Sequence, residues 1–290
     1  MSQKLTGTTQ NLGVMGWPIR HSLSPVLQNA ALERAGLDYV YVALPVPPEK
    51  LRTAVEGLRA MGFAGWNVTI PHKQAIMPLL DELDEDARII GAVNTVVRKD
   101  GRLLGYNTDV TGFLMPLQRR HVVLRGKKAA LLGAGGAARA VIWGLLREGV
   151  SSIAIGVRNP HKAEPLVHEF APYGVLRVYH WEDEAFRAEL GETDLLVNTT
   201  PLGMTPHTDG MPPVVWQDLK ASAFVYDIIY TPAHTRFLRE AAAHGHTILN
   251  GEEMLVGQGA AAFARWTGQE PDLACMLDAL RRELSSRRQP

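Results

Sequence analysis

Ala129-Ala130-Leu131-Leu132-Gly133-Ala134-Gly135-Gly136-Ala137-Ala138 is the stretch that decides the fold. An apolar run passes straight into a glycine-rich turn, and a helical apolar pattern, Ala140-Val141-Ile142-Trp143-Gly144-Leu145-Leu146, follows it. Strand, glycine turn and helix in that order form the context in which the G-x-G-x-x-G/A fingerprint binds a dinucleotide. Gly133 permits the tight turn, Gly135 lets the backbone approach a pyrophosphate, and Ala138 keeps the helix close to the strand. The free N–H groups of the turn and helix start, over Ala134, Gly136 and Ala137, attract the anion. Roughly twenty residues further on, where an Asp or Glu would hold the ribose 2′-hydroxyl of NAD, the chain reads Gly156-Val157-Arg158-Asn159-Pro160-His161-Lys162. No acid stands there. Arg158 can stack on adenine and pair with a 2′-phosphate, with Asn159 and Lys162 beside it, so NADP is the expected cofactor rather than NAD. Arg139, on the first helix, is a further candidate for that phosphate. Ordinary solvated charges at a strand end are the plainer alternative.

Outward from this turn the strand-like runs Ser152–Val157, Leu176–His180, Asp194–Thr200, Phe224–Ile229 and Thr247–Asn250 alternate with helical patterns, including 162–170 and 232–244. Parallel neighbours need crossover helices, so the region reads as a doubly wound parallel sheet. Toward the N-terminus a second βα series begins. Leu12–Gly16 is a strand, Ser24-Pro25 an N-cap and first helical residue closed by Gly36, and Tyr39–Leu44 a strand; Leu51, Ala54, Val55 and Leu58 share a helix face. Residues 92–97 and 102–106 flank Asp100-Gly101 as a hairpin, which makes that sheet mixed. The fold class is therefore α/β with two lobes: a mixed substrate-binding domain over 1–109, a Rossmann-like domain over 110–246, and a C-terminal helical segment, 247–290, that packs back on the first lobe. The tail Ser285–Pro290 reads as frayed.

With 290 residues, thirty Lys plus Arg balance thirty Asp plus Glu, which gives no electrostatic reason to expect nucleic acid or an anionic membrane as partner. A small-molecule substrate is the default, and homodimer formation stays open. The lone Cys275 excludes a disulfide framework. The opening Met1–Gln10 lacks the apolar core of a signal peptide, so a soluble, cytoplasmic protein is expected. The ten histidines show no ligand spacing with a carboxylate partner, so no metal is expected.

In the first lobe the polar clusters sit at strand ends, where ligands bind in open α/β sheets. Along Asn67-Val68-Thr69-Ile70-Pro71-His72-Lys73, Val68 and Ile70 fall on one side and Asn67 and Thr69 on the other. Pro71 ends the ladder and leaves Lys73 on the following turn. Ser22 and Ser24 can hold a carboxylate between them, with Ser24 also capping its helix. Amides and hydroxyls around Asn94 and over 105–109 suit a polyhydroxylated ligand. Lys73 and Asp109 form the proton-transfer pair: a lysine ammonium can protonate the oxygen formed when a carbonyl accepts hydride.

These motifs together resemble the shikimate dehydrogenase family, nearly end to end: SLSP, NVTIPHK, GAVNT, GYNTD, GAGGAARA, VNTTPLGM, YDIIYTPAHTRFL and NGEEMLVGQGAAAFARWTG. The resemblance implies NADPH-dependent reduction of 3-dehydroshikimate in the route to chorismate. It implies that Ser22 and Ser24 hold the substrate carboxylate with Tyr230 nearby. Asn67, Thr69, Asn94 and Gln258 bind the hydroxyls, and Lys73 is the general acid/base with Asp109 as partner. It also places Thr199, Met204 and Gly251 beside the cofactor. The family's Asn-Arg-Thr at the adenosine end is Val157-Arg158-Asn159 here, which keeps the arginine and loses the first amide. The alternatives are an NAD-dependent quinate/shikimate dehydrogenase and a regulator that binds nucleotide without turnover; retention of both Lys73 and Asp109 argues against the regulator.

Overall fold

The computed structural model describes residues 5–287. Its chain divides into two compact units, one running to Gly112 and resuming at Val256, the other Phe113–Leu255.

The first unit carries β1 (Gln10–Gly16), α1 (Ser24–Ala35), β2 (Tyr39–Pro45), α2 (Leu51–Ala60), β3 (Gly65–Val68), α3 (His72–Ala75), β4 (Glu82–Leu83), α4 (Glu85–Ile90), β5 (Thr95–Lys99) and β6 (Arg102–Tyr106). α5 (Asp109–Arg119) carries the chain across the division. The sheet order is β2-β1-β3-β5-β6-β4, with β1 parallel to β2 and β3, and β3, β5 and β6 successively antiparallel. Positive φ at Asp100 (51°) and Gly101 (78°) gives the hairpin the primed turn that matches strand twist. Met15, Trp66, Val68 and Val96 lie at the centre of its core.

Two local expectations change here. Pairing of β3 stops at Val68, and Thr69 turns the chain, its N–H bonding Met15 O while its carbonyl accepts from His72 N. Ile70 is consequently 73% exposed instead of sharing the buried side with Val68. Ser24 is the first residue of α1 and caps nothing: Leu23 occupies the cap position, without a side-chain bond. The Ser24 hydroxyl is thereby free for other partners. The tail's Ser285 and Ser286 close the last helix, while 288–290 lie outside the described residues.

The second unit holds β7 (Lys128–Leu132), α6 (Gly136–Arg147), β8 (Ser152–Val157), α7 (Pro160–Phe170), β9 (Leu176–His180), α8 (Glu184–Leu190), β10 (Leu195–Asn198), β11 (Phe224–Asp227), α9 (Arg236–Ala243) and β12 (Thr247–Leu249). All its pairings are parallel, in the order β12-β11-β10-β7-β8-β9. β7, β8 and β10 are buried along nearly their whole length, as strands covered on both faces must be. Strand order reverses between β7 and β10, which is where the doubly wound fold binds ligands. α9 starts at Arg236, four residues after the Pro232 that the sequence suggests, because Thr235 supplies the cap by accepting from Leu238 N at 3.3 Å.

α10 (Glu252–Thr267) and α11 (Leu273–Ser286) complete the chain. β12 belongs to the second sheet, so the return to the first unit comes at Val256, later than the expected 247. In the first unit, Gln28 Nε2 donates to Gly259 O at 2.9 Å and Trp266 Nε1 to Val96 O at 2.9 Å, which seats this segment against α1 and β5.

Candidate active site

In the first unit, the single turn of α3 presents Lys73 and the start of α5 presents Asp109; Lys73 Nζ donates to Asp109 Oδ2 at 2.5 Å. Both side chains retain some exposure, 28% and 15%, so the pair opens to solvent at one end. Asp109 is held from behind. Asn94 Nδ2 donates to its Oδ1 at 2.8 Å, and its N–H donates to Asn107 Oδ1 at 3.1 Å. Asn94, 2% exposed, accepts from Thr108 N at 2.7 Å, which fixes its orientation. Thr95 and Thr108, from the polar clusters expected at these strand ends, complete a buried network.

Asn67 is similarly committed. Its Nδ2 donates to Asn94 O (3.1 Å) and Thr95 Oγ1 (3.0 Å), and its Oδ1 accepts from the Tyr41 hydroxyl at 2.6 Å. Ser22 and Ser24 stand half-buried at the start of α1, with Ser24 N donating to Ser22 Oγ at 3.3 Å. Thr69 is half-buried at the end of β3. The bond from Gln28 to Gly259 puts the main chain next to Gln258 against α1. Lys73, Asp109, Ser22, Ser24, Asn67, Thr69, Asn94 and Gln258 thus all belong to one unit; Tyr230 belongs to the other.

In the second unit the glycine turn joins β7 to α6. Gly133 has φ 102°, which only glycine adopts readily, and a Cβ there would lie 2.8 Å from Thr200 Cγ2. Gly135 is the helix cap residue with no side-chain cap bond, and a Cβ on it would meet nothing within 4 Å. A cavity of about 510 Å³ opens here, lined by Gly133, Ala134, Gly135, Arg158, Asn159, Lys162 and Thr199 among the expected residues. Gly136 and Ala137 form the first turn of α6 but do not line it. The Asn159 side chain accepts from Lys162 N at 3.3 Å as the cap of α7.

The lining includes no carboxylate, so the site fits NADP: open N–H groups for a diphosphate, cations for a further phosphate. Arg139 is engaged elsewhere, paired with Glu169 and lying over the Phe170 ring. Met204, 45% exposed, and Gly251 are not among the lining residues. A Cβ on Gly251 would sit 2.0 Å from Ile228 O, so close backbone packing demands that glycine.

Thr200 and Pro201 line the cavity beside Thr199, and Trp181 and Leu202 line it without having been marked in the sequence. Trp181 directly follows β9, and its place at a strand's carboxyl end was the available signal. Behind the 199–202 segment lies Asp227, wholly buried. Its Oδ1 accepts from Asn198 Nδ2 (3.0 Å) and Ile229 N (3.1 Å), its Oδ2 from Thr235 Oγ1 (2.6 Å). Asn198 Oδ1 in turn accepts from Thr200 N and Oγ1 at 2.9 and 2.7 Å. With no cation among the described residues in contact, burial pushes the Asp227 carboxyl up to about 6.

Comparison with known proteins settles the family. A family model described as shikimate dehydrogenase substrate binding domain matches residues 14–96, and one described as shikimate 5′-dehydrogenase C-terminal domain matches 251–281. The NADP-dependent shikimate dehydrogenase of Salinibacter ruber is 48% identical over 285 residues, covering 96% of this chain and 99% of that one. The chain belongs to the shikimate dehydrogenase family. Among solved structures, the shikimate 5-dehydrogenase of Listeria monocytogenes in complex with shikimate and NAD superposes with a TM-score of 0.92 at 37% identity, covering 97% and 99% of the two chains. The Thermus thermophilus enzyme in complex with NADP(H) and shikimate gives 0.84 at 39% identity, covering 94% and 99%. Shikimate dehydrogenases therefore share this fold along essentially the whole length. No helix among the described residues is long and apolar enough to cross a membrane.

Proposed function

We propose that this chain reduces 3-dehydroshikimate to shikimate with NADPH, reversibly, in the route to chorismate and the aromatic amino acids. The carrying observation is the Lys73 ammonium held 2.5 Å from the Asp109 carboxylate, at the edge of a network of amides and hydroxyls. NADPH, when bound, supplies the hydride to C3 of the substrate. Lys73 gives its proton to the carbonyl oxygen as negative charge develops there. Asp109, oriented by Asn94 and Asn107, fixes where the ammonium points.

Ser22 and Ser24 take the ring carboxylate, with Tyr230 nearby, while Asn67, Thr69, Asn94 and Gln258 take the hydroxyls. The turn over 133–137 and Thr199 hold the diphosphate side, and Arg158, Asn159 and Lys162 the 2′-phosphate.

Lys73→Ala is the test. Loss of the proton donor should lower kcat by about two to four powers of ten with little change in KM. Unchanged turnover would remove Lys73 from the mechanism. Rates for shikimate and quinate with each nicotinamide rank the substrate and cofactor; equal rates with NAD and NADP would overturn the role given to Arg158.

A further inference from the structure

At the carboxyl end of β9 the second unit places a large aromatic side chain against the dinucleotide cavity. The strand stops at His180, yet Trp181 N still donates to Val157 O at 3.1 Å. His180 is the register partner of Val157, so this bond carries the ladder one residue further and sets Trp181 level with Arg158 across the strand pair. Asp183 N then donates to His180 O at 3.0 Å, and the chain turns into α8. Trp181 is half-buried: it packs against the core cluster that contains Ala154 and Phe186, and it also lines the cavity. Glu182 and Asp183, next in the chain, are exposed and do not line it. What this strand end gives the cavity is an aromatic residue and no carboxylate.

We infer that Trp181 is a binding residue for the adenine of NADP(H), its indole stacking on the base while the neighbouring turn takes the 2′-phosphate. The inference rests on the reading of Arg158, Asn159 and Lys162 given above. At this end the cavity wall divides by chemistry. Arg158, Asn159 and Lys162 carry cationic and amide groups that suit an anion, whereas Val157, Ala163 and Trp181 are apolar and suit a flat base. Of these three only Trp181 has a face as broad as a purine, and an aromatic face stacks on a base without using its hydrogen-bonding edge. The bond to Val157 O holds its main chain, and packing on the core cluster restrains its side chain. The wall is therefore in place before the cofactor arrives, and little ordering is needed on binding. A guanidinium that need not cover the base is left to pair with the phosphate. Trp181 accordingly contributes equally to NADP and NAD, and Arg158 to the difference between them.

Trp181→Leu keeps apolar bulk and removes the aromatic face. Calorimetry without substrate should show adenosine 2′,5′-bisphosphate, NADP and NAD all bound about tenfold more weakly; tenfold corresponds to about 1.4 kcal/mol, the size of one base–aromatic stack. Trp181→Phe retains a ring and its packing, so it should bind all three within about threefold of the parent. In the parent the bisphosphate should quench indole emission, and in Trp181→Phe that quenching should disappear. The probe carries base and phosphate but no nicotinamide, so neither measurement depends on turnover. If Trp181→Leu fails to fold, the emission of Trp181→Phe decides alone. Unchanged binding of the bisphosphate by a folded Trp181→Leu overturns the inference, as does quenching that is absent from the parent or persists in Trp181→Phe. A loss confined to NADP also overturns it, because Trp181 would then act through the phosphate side. If Arg158→Ala leaves the preference for NADP over NAD intact, the cofactor-site assignment fails instead.

Discussion

Asp227 shows how one side chain can tie chemistry to stability. It receives three hydrogen bonds and touches no cation among the described residues, and through Asn198 it holds the Thr200 end of the segment lining the dinucleotide cavity. Its carboxyl titrates at about 6 in the folded protein against an ordinary 3.8, so the native state binds that proton more tightly than the unfolded chain does. The corresponding stability is complete below about pH 4 and is lost as the pH rises through about 6, a change of about 3 kcal/mol. Asp227→Asn cannot titrate. Its stability relative to the parent, from urea midpoints at pH 4 and pH 7.5, should improve by about that amount at the higher pH; a constant gap between the two proteins would refute the assignment. Residues of this kind are hard to read from sequence. Lys73 and Asp109 stand out as candidates because they sit at strand ends among amides and hydroxyls, whereas Asp227 hides in a run, Phe224–Asp227, that reads as plain sheet.

At the scale of elements, the βα alternation was legible because its two periods differ so clearly, and both sheets follow it. What escaped were decisions made by tertiary partners. The two-residue β4 exists only by pairing with β6, and no sequence pattern marks a bridge that short. Pro232 looks like a helix start, yet Thr235 supplies the cap; Ser24 looks like a cap, yet Leu23 holds that position. Helix α2 carries a cost the pattern does not reveal. Gly57 lies inside it, and a Cβ there would meet nothing within 4 Å. Gly57→Ala should therefore stabilise the protein by about 0.5–1 kcal/mol, visible as a higher urea midpoint with an unchanged slope. A lower midpoint would mean that the space is needed for something else.

For the molecule as a whole, thirty positive and thirty negative side chains leave no net formal charge to keep copies apart. Each sheet nevertheless ends in two outer strands. Three of these four are short: β4 has two residues, β12 three, and β9 five, with an exposed Arg177. The fourth, β2, is seven residues long and includes an exposed Val42. Here the Asn29 amide acts as a counterfeit neighbour, accepting from Tyr41 N at 2.9 Å and donating to Tyr41 O at 2.8 Å, so that these two groups are not open to an incoming chain. Asn29→Leu would leave both groups unsatisfied and turn the longest border of the molecule into a template. Light scattering should then report concentration-dependent aggregation in a protein whose parent stays dispersed.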